Sequence, residues 1–93
     1  MSLNFAYPSI DMERTGKNIA KLRKESGYSV QQLSDIMGFT SPQAVYKWQH
    51  GKCLPTVDNL VFLSKIFNTS MDSILVLNEG RDVVVYGDFL QAA

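Results

Sequence analysis

Residues 29–51 read SVQQLSDIMGFTSPQAVYKWQHG, and this stretch decides the fold. Ser29 followed three residues later by Gln32 is a capping box, in which a hydroxyl and an amide side chain reciprocally satisfy backbone N–H groups that a first helical turn leaves open. Val30, Leu33, Ile36 and Met37 form the apolar stripe of a helix of about two turns. Gly38 supplies the left-handed backbone that turns the chain off the helix end. Thr40 or Ser41 caps a second helix with Pro42 in its first position, where a missing N–H is no loss. Ala44, Val45 and Trp48 face inward on that helix, and Gln43, Tyr46, Lys47 and His50 point away. Gly51 ends it.

Working outward, the flanking segments are helical too. Asp11 reads as an N-cap for a helix that carries Met12, Ile19, Leu22 and Ser26 on one face and stops at Gly27. After Pro55, Thr56 and Asn59 open a fourth helix, with Leu60, Leu63, Ile66 and Phe67 at core spacing and Asn68 at its close. Ser70 caps a short fifth helix bearing Met71, Ile74 and Leu75, with Asp72 in the first turn where the helix dipole favours an anion. Residues 1–11 lack helical periodicity and read as an extended arm whose Phe5 and Tyr7 pack back on the domain. In the tail, residues 78–93, the run Val83-Val84-Val85-Tyr86 suits a strand. The expected architecture is all-α: an arm (1–11), a five-helix domain (12–77) and a tail (78–93).

Composition narrows the function classes. At 93 residues, 45% hydrophobic and 19% charged, the chain is one foldable domain. It buries about 60% of its unfolded surface, a thin margin that dimerisation would widen. Cys53 is the sole cysteine and His50 the sole histidine, so neither a disulfide within the chain nor a Cys/His metal site is available. With no membrane-length apolar run and no signal-peptide pattern, a cytosolic protein is expected. No cofactor, small-molecule ligand or membrane partner is indicated, and no nucleophile–base pair or glycine-rich phosphate loop suggests an enzyme. Net charge is zero but segregated: residues 12–54 hold seven cations against three anions, and the remainder holds two against six. A basic face is therefore possible on a neutral chain.

Two helices joined by a tight turn over 38–41, the second with a small, polar outer face, form an arrangement whose second helix fits the major groove of duplex DNA. There glutamine can pair with adenine, lysine can reach guanine, and alanine can touch a thymine methyl. Those residues are Gln43, Lys47 and Ala44. The N-terminus of the preceding helix, with Gln31, is a natural phosphate contact.

The stretches NIAKLRKESGYSVQQLSDIMGF (18–39) and SPQAVYKWQHGKCLPTVDNLVFLSKIFNTSMDSIL (41–75) resemble the Cro and phage-repressor type of helix-turn-helix domain, the XRE family, over roughly residues 12–76. The resemblance rests on Leu22-Arg23, Gly27, Leu33, Gly38, Val45, Trp48, Gly51, Leu54-Pro55 and Ser70-Met71-Asp72. It implies a five-helix bundle like that of lambda repressor, operator binding and a homodimer. It also implies base contacts from Gln43, Ala44 and Lys47 with Tyr46 nearby, and phosphate contacts from Ser41, His50 and Lys52. Four features depart from the family pattern. Val30 replaces a backbone-contacting glutamine, Pro42 a base-reading polar residue, and Gln49 a glutamate that pairs with the arginine equivalent to Arg23. The Gly38-to-Trp48 interval is one residue longer than usual.

Blander roles weigh against several residues. Trp48 shares its spacing with Val45 and belongs to the core. His50 has no catalytic partner, and Cys53 reads as a small, semi-buried side chain. Lys17, Lys21 and Lys24 form either a solvated helix face or a phosphate-facing one. The tail strand either pairs across a dimer axis or folds back on its own domain. The leading expectation is a sequence-specific transcriptional repressor that reads an operator with residues 42–50. The alternative is an antitoxin or other protein-interaction module on the same fold.

Overall fold

The computed structural model describes residues 2–6, 9–78 and 82–86. Five helices follow in order: α1 (Met12–Glu25), α2 (Val30–Met37), α3 (Gln43–Gln49), α4 (Val57–Ile66) and α5 (Met71–Ile74). Four begin where a side-chain oxygen accepts an open N–H: Asp11 from Arg14, Ser29 from Gln32, Thr56 from Asn59 and Ser70 from Ser73. α3 departs from the expectation. Pro42 itself is the cap residue, no side chain bonds the first turn, and neither Thr40 nor Ser41 serves as a cap. Proline can hold the half-helical conformation of that position, and its carbonyl accepts the first helical bond from Tyr46 N at 3.1 Å.

The core draws on every helix. Ile19 from α1, Leu33 from α2, Val45 and Trp48 from α3, Leu63 from α4 and Ile74 from α5 are buried, joined by Phe67 just past α4. Phe39 meets the Trp48 ring edge-on, centroids 5.7 Å apart. Two residues expected inside are exposed, Met12 and Ile36. On α2 the inward seam runs 30, 33, 34, 37, the spacing of one helix face, which brings Ser34 in and turns Ile36 out. On α1, Thr15 and Gly16 are buried in place of Met12. Cys53 is exposed where a semi-buried side chain was expected.

The start of α1 is tied to the end of α5. Asp11 N donates to Val76 O (2.8 Å), Ile10 bridges Leu77, and Asn78 N donates to Ser9 O (2.9 Å). The buried Thr15 hydroxyl accepts from Val76 N at 2.9 Å and donates to Val76 O at 3.3 Å, and Asn18 Nδ2 donates to the carbonyls of Ser73 and Ile74. Beyond this seam, strand β1 (Ser2–Ala6) pairs antiparallel with β2 (Asp82–Tyr86), Ser2 opposite Tyr86 and Ala6 opposite Asp82. The tail strand thus pairs with the arm of its own chain. The expected packing of the Phe5 and Tyr7 side chains falls outside what is described. No helix among the described residues is long and apolar enough to cross a membrane.

Candidate nucleic-acid interface

The turn between α2 and α3 is pinned at several points, which fixes how α3 is presented. Gly38 adopts φ 79°, the left-handed region that glycine enters without penalty, and Phe39 N donates to Ser34 O at 3.0 Å. The buried Ser34 hydroxyl donates to Ser41 O at 2.8 Å, so the far end of the turn is held from inside the core. At the other end of α3, Arg23 spans two elements: its Nε donates to Gln49 Oε1 (2.9 Å) and its Nη1 to Tyr28 O (2.7 Å). The Arg23–Gln49 contact runs from the charged guanidinium to an uncharged amide oxygen, a hydrogen bond rather than an ion pair. α1 closes against the same end, because Gly16 lets its backbone approach the Trp48 and Gln49 carbonyls.

So framed, α3 shows the solvent a single seam. Gln43, Tyr46, Lys47 and His50 are all exposed and stand at i, i+3, i+4 and i+7. The Tyr46 and His50 rings stack, centroids 6.2 Å apart. Ala44 is half-buried and packs against the core, leaving only part of its methyl toward solvent. Ser41 precedes the seam and Lys52 follows it, both exposed. Lys52 is tied back through its N–H to Lys47 O at 2.9 Å. At the head of α2 the capping box is complete, Gln32 N to Ser29 Oγ at 3.0 Å and Ser29 N to Gln32 Oε1 at 2.8 Å, so the third N–H of that helix is already used. Gln31 is exposed, but its amide donates to Asp35 Oδ1 at 2.9 Å. A phosphate at Gln31 would therefore compete with a carboxylate.

Several residues that shape this face carry no DNA-contacting signal in the sequence. Asp35 places an anion beside it, and Ser34, Gly16 and Arg23 fix the pose of α3. Two signals were available: a lone glycine inside a helical pattern carries a propensity cost that calls for a packing reason, and Ser34 stands at a core position of its helix. Lys17 and Lys21 lie on the solvated face of α1, where they pair with Glu13 (3.3 Å) and Glu25 (4.0 Å), and Lys24 is exposed. Among the described residues, no His, Cys, Asp or Glu group could hold a metal ion.

Residues 19–74, well over half the chain, match the family profile described as Helix-turn-helix. The chain belongs to the helix-turn-helix family. It is a member of the XRE type, a family of DNA-binding transcription regulators. The SPbeta prophage-derived uncharacterized HTH-type transcriptional regulator YonR of Bacillus subtilis (strain 168) is 37% identical to this helix-turn-helix protein over 60 residues. The match covers 64% of this chain and 55% of that one, so the chain spans little more than half the length of its relative. Two solved structures share the fold. The restriction-modification controller protein C.AhdI from Aeromonas hydrophila superposes with a TM-score of 0.61 at 19% identity, over 69% of this chain and 96% of its own. The DNA-binding domain of S. venezulae BldD gives 0.60 at 17%, over 70% and 96%.

Proposed function

We propose that this helix-turn-helix protein is a cytoplasmic, sequence-specific transcriptional repressor that binds double-stranded DNA as a homodimer and reads an operator with α3. The observation that carries the reading is the exposed seam of Gln43, Tyr46, Lys47 and His50 on a helix held rigid from both ends. A rigid polar helix face can place hydrogen-bonding groups on base edges without first ordering itself. In this reading Gln43 and Lys47 bond bases, Tyr46 lies beside them, and the exposed part of Ala44 meets a thymine methyl. Ser41, His50, Lys52 and Gln31 contact phosphates, Gln31 after leaving Asp35. Two copies place two α3 helices about one turn of DNA apart, about 34 Å, on a symmetric operator. The wider roles that the names of YonR and C.AhdI describe, transcriptional regulation and control of a restriction-modification system, support a regulatory role of this kind.

The test separates base readers from phosphate anchors. Q43A is expected to weaken binding to a selected operator by about 1–3 kcal/mol with little effect on random DNA, relaxing one base pair of the site. K52A is expected to weaken both alike and to lower the slope of log K against log salt by about one. Fluorescence anisotropy titrations on both DNAs at several salt concentrations give both quantities. Equal losses on operator and random DNA for Q43A would remove the base-reading role.

A further inference from the structure

One basic cluster takes no part in the proposed DNA interface. Arg14, Lys17 and Lys21 of α1, with Asn18 between them, line a groove of about 300 Å³ whose remaining wall is Val76, just past α5. All three cations are exposed, and among the described residues no carboxylate lines the groove. α1 turns its other sides to the protein: Gly16 and Arg23 close on α3, and Ile19 enters the core. Around the helix, positions 14 and 21 lie almost opposite 16 and 23, so the groove opens on the side of α1 remote from α3.

The chemistry of the lining specifies the occupant. Lys17 and Lys21 are engaged by exposed i, i+4 pairs with Glu13 and Glu25, at 3.3 and 4.0 Å, which are weak enough for another carboxylate to replace. Arg14 takes part in no ion pair among the described residues. Asn18 supplies the opposite polarity. Its Nδ2 donates to the carbonyls of Ser73 and Ile74 at 2.8 and 2.9 Å, which fixes the amide and leaves its Oδ1 an acceptor with no partner among the described residues. A bare anion such as sulfate has no hydrogen to give that oxygen and nothing apolar to lay on Val76. An acidic peptide has all three groups: carboxylates for the cations, a backbone N–H for Asn18 and an apolar side chain for Val76. We infer that this groove binds an acidic peptide segment of a partner protein, with an apolar residue among its carboxylates. The inference goes beyond the operator reading and is independent of it.

The test is a titration of the isotope-labelled full chain, followed by the amide resonances in NMR, with a short capped peptide in which glutamates alternate with leucines. Resonances of residues 14–21 and 73–77 should move, and those of 43–52 should not. R14Q/K21Q should raise the Kd of the peptide at least about tenfold, and a peptide with glutamines in place of its glutamates should lose as much. Sulfate should bind at least about tenfold more weakly than the peptide, lacking the N–H and the apolar contact. A short random-sequence duplex should leave the groove resonances in place. Four results would overturn the inference: no movement at 14–21 and 73–77, which is also the outcome if residues 79–93 of the same chain fill the groove; undiminished binding by the double variant or the glutamine peptide; sulfate binding as tight as the peptide's, which marks a general anion site; or groove resonances that move with the duplex, which marks a phosphate contact. Circular dichroism of R14Q/K21Q checks that these exposed substitutions leave the fold intact.

Discussion

Replacing Gly16 by alanine adds one methyl group to the middle of α1, and two physical effects pull in opposite directions. Helix propensity favours the change by about 1 kcal/mol, since alanine is the best helix former and glycine among the worst. Packing opposes it. A Cβ at position 16 would press on the Trp48 carbonyl oxygen and sit 2.6 Å from the Gln49 carbonyl oxygen and 2.9 Å from the Gln49 carbonyl carbon. All three are backbone atoms, so no side chain can swing away. Relief requires α1 and α3 to separate by about 0.8 Å, which loosens the contacts around Trp48. Overpacking of this kind costs up to about 3 kcal/mol, leaving a net loss of about 2 kcal/mol once propensity is credited. For a domain of this size, that lowers Tm by about 8–16 °C. Thermal and urea unfolding followed by circular dichroism measure both. Gly27→Ala is the control: it meets no neighbour but has φ +86°, so it should lose about 1–2 kcal/mol through backbone strain alone. A G16A protein as stable as the wild type, or more stable, would refute the close approach of α1 and α3 and with it the rigid mounting of the proposed reading helix.

Two further substitutions probe the frame and the electrostatics of the face. T15V keeps the side-chain shape but leaves Val76 N–H without its partner, and should lower stability by about 1–3 kcal/mol in urea titrations while leaving the slope of free energy against urea unchanged. No loss would mean that the bonds between Thr15 and Val76 contribute nothing to stability. D35N retains an acceptor for Gln31 but removes the anion beside the proposed phosphate contacts. Affinity for duplex DNA should rise about two- to fivefold at low salt and converge with the wild type at high salt. Unchanged or weaker binding in a salt series would place Gln31 and Asp35 away from the DNA.

How legible each part was in the sequence follows from the range of the forces involved. Caps act within three residues, which is why Asp11, Ser29, Thr56 and Ser70 could be assigned directly, and why Gly38 announced the turn. Helical spacing identified Trp48 as core rather than as a base-stacking ring. Ile36 was misread because its hydrophobicity outweighed its angular position, whereas Ser34, a polar residue on the correct face, went inside once Ser41 O offered its hydroxyl a partner. Gly16, Thr15 and Asn18 depend on segments some thirty to sixty residues away, and nothing local announces such partners. The start of α3 shifted by one residue because proline can occupy a cap position without a capping side chain. On the outer face of α3 the pattern was fully readable, since exposure there follows from spacing alone. The bond between Gln31 and Asp35 was available at i, i+4 but was outweighed by the prospect of a phosphate.

The most direct measurement is selection of bound duplexes from a random-sequence pool by the full-length protein at near-physiological salt. Recovery of a two-fold symmetric motif with half-sites about 10 base pairs apart, centre to centre, is expected, since that is the spacing two α3 helices on one face of B-DNA would impose. A bound pool with no enriched motif, or no salt-dependent retention of DNA at all, would contradict the proposal that α3 reads an operator.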